Sequence, residues 1–399
     1  MKRLAGKRAA PWAATLVGML AGALAAPAPA AQAPHGKAPP VLQSEEAGIT
    51  PFPGLAAHDL VYSGMDGITD GGIRIIDGDT AKLVATVYSS QYANFALAPD
   101  NRTLYVSETY WTLGNRGKRE DVLSIYGGKT LANLGEVPLP GRLISDPRTY
   151  GFALSPDGHY AYSYSFQPAP SVSVVDLRTR KVTTSVEIPG CGLAFPFGSH
   201  GFASLCADGS LAVTDSNAQG HYTVRRTQRF FDINNDPVFD ESVLDSASGL
   251  ALFITYDGWV HPVELADTPR FGKPWSIEQA AGMSPATSRT GQITWRPGGQ
   301  VIGAYQHASG RLFVLMHEGP PWSFEQPGSQ IWVLDVRHHR LLHRWNVPES
   351  AYLVAVTQDA QPLLFALSHR WLWVMDARTG AVLRATQIVT PGLVAVRGY

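Results

Sequence analysis

Short alternating runs of β-forming residues recur along almost the whole chain. In the clearest copy, Val172–Asp176, apolar residues are followed by Asp and then by the polar segment Leu177–Lys181. A run of this length bounded by turn formers is typical of a strand that leads into a hairpin. The seven copies end at Asp77, Tyr126, Asp176, Asp215, Val263, Asp335 and Asp376.

The spacing of these copies predicts the fold. Successive copies end 49, 50, 39, 48, 72 and 41 residues apart, and four-stranded propeller blades recur about every 40 to 50 residues. The long interval holds an insertion at about Asp267–Gly299, in which Ser276–Ala281 is expected to form one turn of helix. The sequence therefore predicts an all-β fold, a seven-bladed β-propeller of four-stranded antiparallel blades.

A second element precedes several copies and strengthens this prediction. Phe95–Asp100, Phe152–Gly158 and Val354–Asp359 each join an apolar strand to a polar turn, and another strand follows.

A ring of blades must also close. We expect Leu393–Val396 to pair with Asp59–Tyr62 in one blade, which hides two strand edges that would otherwise be exposed.

The N-terminus has the pattern of an export signal. Four basic residues, at positions 2, 3, 7 and 8, precede the mainly apolar segment Ala13–Ala26 and then small residues. The alternative is a membrane anchor, but the apolar run is shorter than the roughly 20 residues that a spanning helix needs. We predict a signal peptide at 1–30, a flexible lead-in rich in Pro and Ala at 31–54, and the propeller at 55–399.

Charge narrows the range of partners. The formal net charge is −1, and loss of the basic leader would make it about −5. Charged residues form 16% of the chain, against roughly 25% in an average globular domain. Because no basic patch is evident, we expect no nucleic-acid partner. No later segment is apolar enough to span a bilayer, so we expect no membrane anchor.

Two cysteines, Cys191 and Cys206, are present, with 14 residues between them. An even number in an exported chain favours a disulfide, here between neighbouring strands of one hairpin. The alternative is a pair of buried free thiols.

A search for catalytic motifs finds no nucleotide-binding glycine loop, zinc-binding helix or nucleophile elbow. Asp232–Asp236 is only superficially similar to a calcium loop, because it lacks the Gly and the terminal Glu of such a loop. His338 and His339 are adjacent in a turn, where a solvated pair is expected. We therefore predict no catalytic residue and no metal site in this chain.

Two features suggest contact with another polypeptide. Gly117–Asp121 is predicted to be a charged loop just before a strand, and Lys118 and Arg119 within it are candidate interface residues. The alternative is a solvated turn. Trp295 lies in a non-repeating segment and is a third candidate, since Trp is enriched at interfaces. The alternative for Trp295 is packing against its own blade.

Several strings in order along the chain resemble one family, the heavy subunit of tryptophan tryptophylquinone-dependent amine dehydrogenases (the methylamine and aromatic amine dehydrogenase family). The likeness runs from about residue 58 to the end. It rests on Gly117–Val122, Pro168–Pro170, Cys206–Leu211, Trp295–Gly299, His307–His317 and Pro362–Ser368.

The resemblance implies a periplasmic assembly of two heavy and two light subunits. The quinone cofactor would form from two Trp residues of the separate light subunit, with no cofactor in this chain. The assembly would oxidise a primary amine to an aldehyde and ammonia and pass electrons to an amicyanin- or azurin-like blue copper protein. This chain would support the light subunit and help to line the substrate channel.

One departure from the family concerns that channel. In the family, the loop after the first strand brings a Phe to the channel. Here the loop 65–72 is shorter and has no Phe, and Ile68 is the nearest apolar candidate. Loss of an aromatic ring would widen the channel or leave its place to another side chain. Aliphatic and aromatic amines both stay open as substrates.

Two other functions are compatible with a propeller that has no catalytic motif. The first is a stand-alone periplasmic propeller that binds a protein or a small ligand. The second is a propeller enzyme such as a metal-dependent lactonase, which would need Asp, Asn or Glu side chains converging on the central channel.

Overall fold

The computed structural model describes residues 51–65, 71–114, 116–216 and 220–398. The predicted signal peptide and most of the predicted lead-in lie outside these residues. Seven antiparallel sheets follow one another along the described chain, which confirms the seven-bladed propeller. No helix in this part of the chain is long and apolar enough to cross a membrane.

Blades 1 to 3 contain the first eleven strands in chain order. Their strands are β1 (Asp59–Gly64), β2 (Gly72–Asp77), β3 (Lys82–Tyr88), β4 (Asn94–Leu97), β5 (Leu104–Trp111), β6 (Arg119–Gly127), β7 (Ala132–Leu139), β8 (Phe152–Leu154), β9 (Tyr160–Ser165), β10 (Ser171–Asp176) and β11 (Lys181–Glu187). A 3₁₀ turn, Thr149–Gly151, precedes β8.

Blades 4 and 5 follow, and the predicted helical turn lies after blade 5. The strands are β12 (Cys191–Phe197), β13 (Gly201–Cys206), β14 (Leu211–Ser216), β15 (Tyr222–Arg226), β16 (Val243–Asp245), β17 (Leu250–Ile254), β18 (Trp259–Glu264), β19 (Arg270–Phe271) and β20 (Trp275–Ser276). The helix α1 spans Ile277–Ala280. The Ser276 side chain caps α1 by accepting a hydrogen bond from the backbone N–H of Gln279, which confirms the predicted turn.

Blades 6 and 7 and the closing strand complete the ring. Their strands are β21 (Thr294–Pro297), β22 (Gly303–Gln306), β23 (Arg311–Gly319), β24 (Gly328–Asp335), β25 (Arg340–Ala351), β26 (Leu353–Val356), β27 (Leu363–Leu367), β28 (Trp371–Asp376), β29 (Val382–Gln387) and β30 (Pro391–Val396). The innermost strand of blade 6 is split, since β21 and β22 both pair with β23.

The split needs a glycine. At Gly299 the backbone φ is +124°, and a Cβ there would lie 2.7 Å from the carbonyl oxygen of Tyr352. An L side chain at this position would be strained by its φ and would also collide with the neighbouring blade.

The last strand closes the ring, as predicted. β30 pairs antiparallel with β1, where Leu60 lies opposite Val396 and Tyr62 opposite Val394. Blade 1 therefore has the order β30-β1-β2-β3, and its innermost strand comes from the opposite end of the chain to the other three.

The recurring sequence unit is the third strand of every blade, counted from the channel. In β10, Val172 and Val174 pack towards blade 4, and Val175 packs towards blade 2. Successive residues of a strand point to opposite faces, so a strand between two neighbouring blades must be apolar on both. This explains why the copies contain nearly continuous apolar residues.

The Asp that ends several copies has a local structural role. The Asp176 carboxylate accepts a hydrogen bond from the backbone N–H of Thr179 at 2.8 Å, and the Asp376 carboxylate accepts one from that of Arg378 at 2.7 Å. The hydrogen bond from Thr179 holds the pKa of Asp176 below its ordinary value. Such Asx turns start the hairpin to the fourth strand.

Closure by β30 is expected to contribute measurably to stability. Val396 is 1% exposed between blades 1 and 7, whereas Val382 on the outermost strand β29 is 45% exposed. The V396A variant should lower the free energy of unfolding by about 2 kcal/mol, because it leaves a cavity at the closure. The control V382A should change it by less than about 0.5 kcal/mol. Urea unfolding measures both values, and equal effects would contradict this account of closure.

Candidate functional site

One end of the propeller gathers most of the long connections, and we call it the disulfide face. It is the end at which each innermost strand begins. Because the strands within a blade alternate in direction, the loops between second and third strands and the connections between blades all lie there. Cys191 begins β12 and Cys206 ends β13, so their disulfide lies at this face.

The disulfide confirms the predicted pairing of the two cysteines. Cys191 and Cys206 are directly opposite each other in the β12–β13 ladder, with Cα atoms 4.0 Å apart. The bond ties the start of blade 4 to its second strand. The adjacent loops are also joined, since the Ala207 N–H donates to the carbonyl of Gly190 at 2.9 Å.

The structure places the three predicted interface residues, Lys118, Arg119 and Trp295, at the disulfide face. Ile68 lies outside the described residues. The strands on either side of it, β1 and β2, end and begin at the same face.

The predicted loop at Gly117–Asp121 is only partly a loop, which corrects the sequence interpretation. β6 begins at Arg119, three residues earlier than the apolar run that starts at Val122, and Arg119 pairs with Trp111 across the hairpin. The polar residues belong to the strand because they face an ionic network instead of an apolar layer. Lys118 stays exposed and pairs with Glu120 at 2.8 Å.

Arg119 belongs to a hydrogen-bonded network that holds the β5–β6 hairpin against the segment connecting blades 2 and 3. Its guanidinium pairs with Asp121 at 2.8 Å and donates to the carbonyl of Arg142 at 3.0 Å. The buried Arg142 side chain donates in turn to the Thr109 hydroxyl at 2.9 Å and to the carbonyl of Tyr92. Burial lowers the pKa of Arg142 to about 10. Arg119 is thus anchored, whereas Lys118 is accessible.

Trp295 is half-buried against its own blade. Its ring lies 5.5 Å from that of Trp332, and the Arg344 guanidinium covers Trp332 at 4.2 Å. Trp322, in the loop between β23 and β24, is 51% exposed. Trp322 is therefore the more accessible aromatic in this part of the face.

A buried ionic cluster lies beneath the insertion. Arg296, only 1% exposed, pairs with Asp257 and donates to the carbonyl of Thr287 at 2.7 Å. Burial raises the pKa of nearby Glu278 to about 7. Burial also lowers the pKa of His317 to about 4, and the Arg296 charge adds to this effect. The contacts of Arg296 attach the insertion to blades 5 and 6. The nearby Glu278 carboxyl group is costly to ionise because it is buried.

The 3₁₀ turn Thr149–Gly151 narrows the central channel near the disulfide face. The Thr149 N–H donates to the Glu241 carboxylate at 2.7 Å, and Tyr150 stacks on Phe195 with centroids 4.1 Å apart. Burial raises the pKa of Glu241. A small void of about 10 Å³ lies beside Thr149, Tyr150 and Glu241, and Thr149 and Tyr150 also border a larger cavity in the channel. Among the described residues, no group of three or more His, Cys, Asp or Glu is arranged to hold a metal ion.

The exposed large apolar side chains are unevenly distributed over the described surface. Six of them lie along the outermost strands, before the last residue of the strand: Leu83, Val84, Leu134, Val224, Val382 and Leu383. The other eight lie at the disulfide face, which are Tyr88, Tyr110, Trp111, Leu113, Phe166, Ile233, Ile293 and Trp322. Three of the eight, Tyr110, Trp111 and Leu113, belong to the β5–β6 hairpin, and exposed aromatic residues are enriched where proteins contact each other.

Sequence reasoning missed most of this apolar surface. Trp111, Leu113 and Phe166 lie at the ends of strands or just beyond them, where turn residues are expected to be polar. The aromatic residues next to polar turns, such as Trp111 and Phe166, were the sequence signal that could have predicted this exposed surface. The buried Glu278 and Glu241 were also missed, because burial of a carboxyl group depends on distant segments.

The sequence of the chain is similar to one family along most of its length. The model of the methylamine dehydrogenase heavy chain family matches residues 68–393. The methylamine dehydrogenase heavy chain of Methylorubrum extorquens is 29% identical over 310 residues, which is 77% of this chain and 74% of that protein. The corresponding protein of Methylobacillus flagellatus is 27% identical over 312 residues, 77% of this chain and 76% of that protein.

Solved structures share the fold at low identity. A functionally unknown protein from Desulfotomaculum acetoxidans has a TM-score of 0.58 and 11% identity, covering 85% of this chain and 98% of that one. The dihydro-heme d1 dehydrogenase NirN has a TM-score of 0.51 and 12% identity, covering 86% and 76%. These similarities support the propeller fold alone.

The buried Glu278 is expected to make stability depend on pH. Its pKa is about 7 in the folded protein and ordinarily 4.5, so the folded state holds the proton more tightly. Ionisation therefore costs stability as pH rises from about 4.5 to 7. E278Q removes that loss and should raise the free energy of unfolding at pH 8 by about 3 kcal/mol, but by less than about 1 kcal/mol at pH 5.

Urea unfolding at both pH values measures the effect. E349Q, at an exposed position, is the control and should change the free energy of unfolding by less than about 0.5 kcal/mol. A fall in stability for E278Q at pH 8 would contradict the assignment of a raised pKa.

Proposed function

Since the chain belongs to the methylamine dehydrogenase heavy chain family, we propose that it is the non-catalytic heavy subunit of a periplasmic quinoprotein amine dehydrogenase. The assembly, with two heavy and two light subunits, oxidises a primary amine to an aldehyde and ammonia. The tryptophan tryptophylquinone of the light subunit supplies the redox chemistry, and a blue copper protein of amicyanin or azurin type takes the electrons. The family itself implies the light-subunit partner.

The observation that carries this proposal is the apolar surface of the disulfide face. Eight of the fourteen exposed large apolar side chains lie there, and a light subunit docked on them would remove them from water. Interface cores are apolar and aromatic, with charged residues at the rim. In this arrangement Trp111 and Leu113 lie in the contact, and the exposed Lys118 lies at its edge.

The anchored parts of the face give the contact its shape. Arg119 and Arg142 hold the β5–β6 hairpin, and the Arg296–Asp257 pair holds the insertion. A surface fixed before binding loses little conformational entropy on association. These buried ions thus position the contact surface without touching the reacting amine.

The segment between β1 and β2 completes the proposed site. It contains Ile68 and begins next to Met65, whose N–H donates to the carbonyl of Thr390 at 2.8 Å. In our proposal Ile68 lines the substrate channel at the contact with the light subunit. An aliphatic side chain there leaves more room for the amine substituent than an aromatic ring.

The isolated chain is expected to be inactive. Purified alone, it should show neither quinone absorbance nor amine-dependent reduction of an artificial electron acceptor, because its role is structural. Co-purified with the light subunit expressed in the same cells, it should show both. Amine oxidation by the isolated chain would overturn the proposal.

A single exposed leucine tests the docking face. Leu113 at the disulfide face is 64% exposed, and Leu83 on the outermost strand β3 is 59% exposed. L113E should weaken light-subunit binding by at least about tenfold, since it places a charge in a desolvated contact. L83E is the matched control and should leave the affinity unchanged in surface plasmon resonance. Equal affinities of L113E and L83E would move the contact to another face.

A further inference from the structure

The central channel opens into a cavity at the face opposite the disulfide face. The cavity has a volume of about 310 Å³, which is the lower end of the range for small-molecule sites. It runs along the innermost strands β4, β8 and β30 from Thr149 and Tyr150 to the ends of these strands, and Pro196 and Leu244 of the next two blades contribute to its wall. The proposed light-subunit contact uses the other end of the propeller.

The wall of this cavity is mainly apolar. Its larger apolar side chains are Phe95, Leu97, Phe152, Leu154, Leu244 and Leu393. The wall also includes the polar residues Asn101, Thr149, Tyr150, Ser155 and Ser246. Such a wall favours a ligand with an apolar body, since burial of apolar surface supplies most of the binding free energy.

Arg397 is the one charged side chain that lines the cavity in the described chain. It is exposed, and among the described residues its guanidinium has no ion pair and no hydrogen bond. A free guanidinium next to an apolar wall is complementary to a carboxylate, which it binds through two parallel hydrogen bonds.

The acidic residues near this cavity already have hydrogen-bond or ion-pair partners. Asp100 accepts hydrogen bonds from the backbone N–H groups of Arg102 and Thr103, and Asp157 accepts one from the Ser155 hydroxyl. Asp245 pairs with His307 at 2.7 Å. None of the three lines the cavity, so none of them neutralises Arg397.

We infer that this cavity is a binding site for a small apolar carboxylate, whose body packs against the partly buried side chains of Leu97 and Leu154 and whose carboxylate binds Arg397. The inference does not depend on the proposed function, because the site belongs to this chain alone and its opening, with Arg397, is at the face opposite the disulfide face. Two apolar side chains of the wall, Phe95 and Leu393, also pack between blades 1 and 2, so the cavity is held open by the core itself.

Calorimetric titration of the purified full chain with 3-phenylpropionate tests the site. The wild type should bind one equivalent, and the neutral analogue 3-phenylpropan-1-ol should bind at least about tenfold more weakly. R397Q should lose this preference by weakening carboxylate binding to the level of the alcohol. R337Q removes another exposed arginine, in the turn between β24 and β25, and should leave carboxylate binding unchanged.

A second variant separates the cavity from its charged rim. S246W places an indole at a half-buried position of the β16–β17 turn that lines the cavity, and it should abolish binding of both compounds. Absence of binding to the wild type at millimolar ligand overturns the inference. Binding that survives S246W but not R397Q also overturns it, because the ligand would then bind the surface alone. Circular dichroism checks that each variant is folded.

Discussion

The pairing of β30 with β1 is the constraint on which the rest of the structure depends. It joins segments that are about 330 residues apart, as in the hydrogen bond of 2.9 Å from the Leu393 N–H to the Ser63 hydroxyl. A contact across so long a loop carries a large entropic cost, which the apolar layers on both sides of blade 1 offset. Once the ring is closed, each blade is packed between two neighbours and no innermost strand can move alone.

The order of the strands within each blade explains why the two ends of the propeller differ. At the face opposite the disulfide, short hairpin turns are built by Asp side chains such as Asp100, Asp176 and Asp376. The disulfide face has to accommodate the longer connections between blades. It is stabilised instead by the Cys191–Cys206 bond and by buried ions. The ends thus have different chemistry because the chain topology assigns them different loops.

Much of the fold could be predicted from the sequence, since it rests on local rules. A strand between two blades must be apolar on both faces, and an Asp after it forms the next turn. The third strand of each blade could therefore be recognised in the sequence. The helical turn after Ser276 could also be predicted from its local sequence. The early start of β6 at Arg119 could not, because Arg119 is held by Asp121 and by the carbonyl of Arg142 in the connection between blades 2 and 3.

The candidate site was harder to predict for the same reason. Lys118 and Trp295 were assigned to a partner contact from charge and residue type, and only the topology places them on one face. Glu241 and Glu278 look like ordinary surface acids in the sequence. Their burial results from the closure of the channel and from the packing of the insertion, which involve residues far away along the chain. Local patterns therefore predicted the ring but not the electrostatics within it.

The buried carboxyl groups and the exposed apolar side chains together agree with the proposed role of this chain as the structural support of a light subunit. Buried carboxyl groups with raised pKa values cost folding free energy, and exposed groups such as Trp111 and Trp322 contribute little to the stability of the isolated chain. Both are useful to a subunit that presents a rigid apolar face to another polypeptide, because the ions fix the loops and the partner covers the rings.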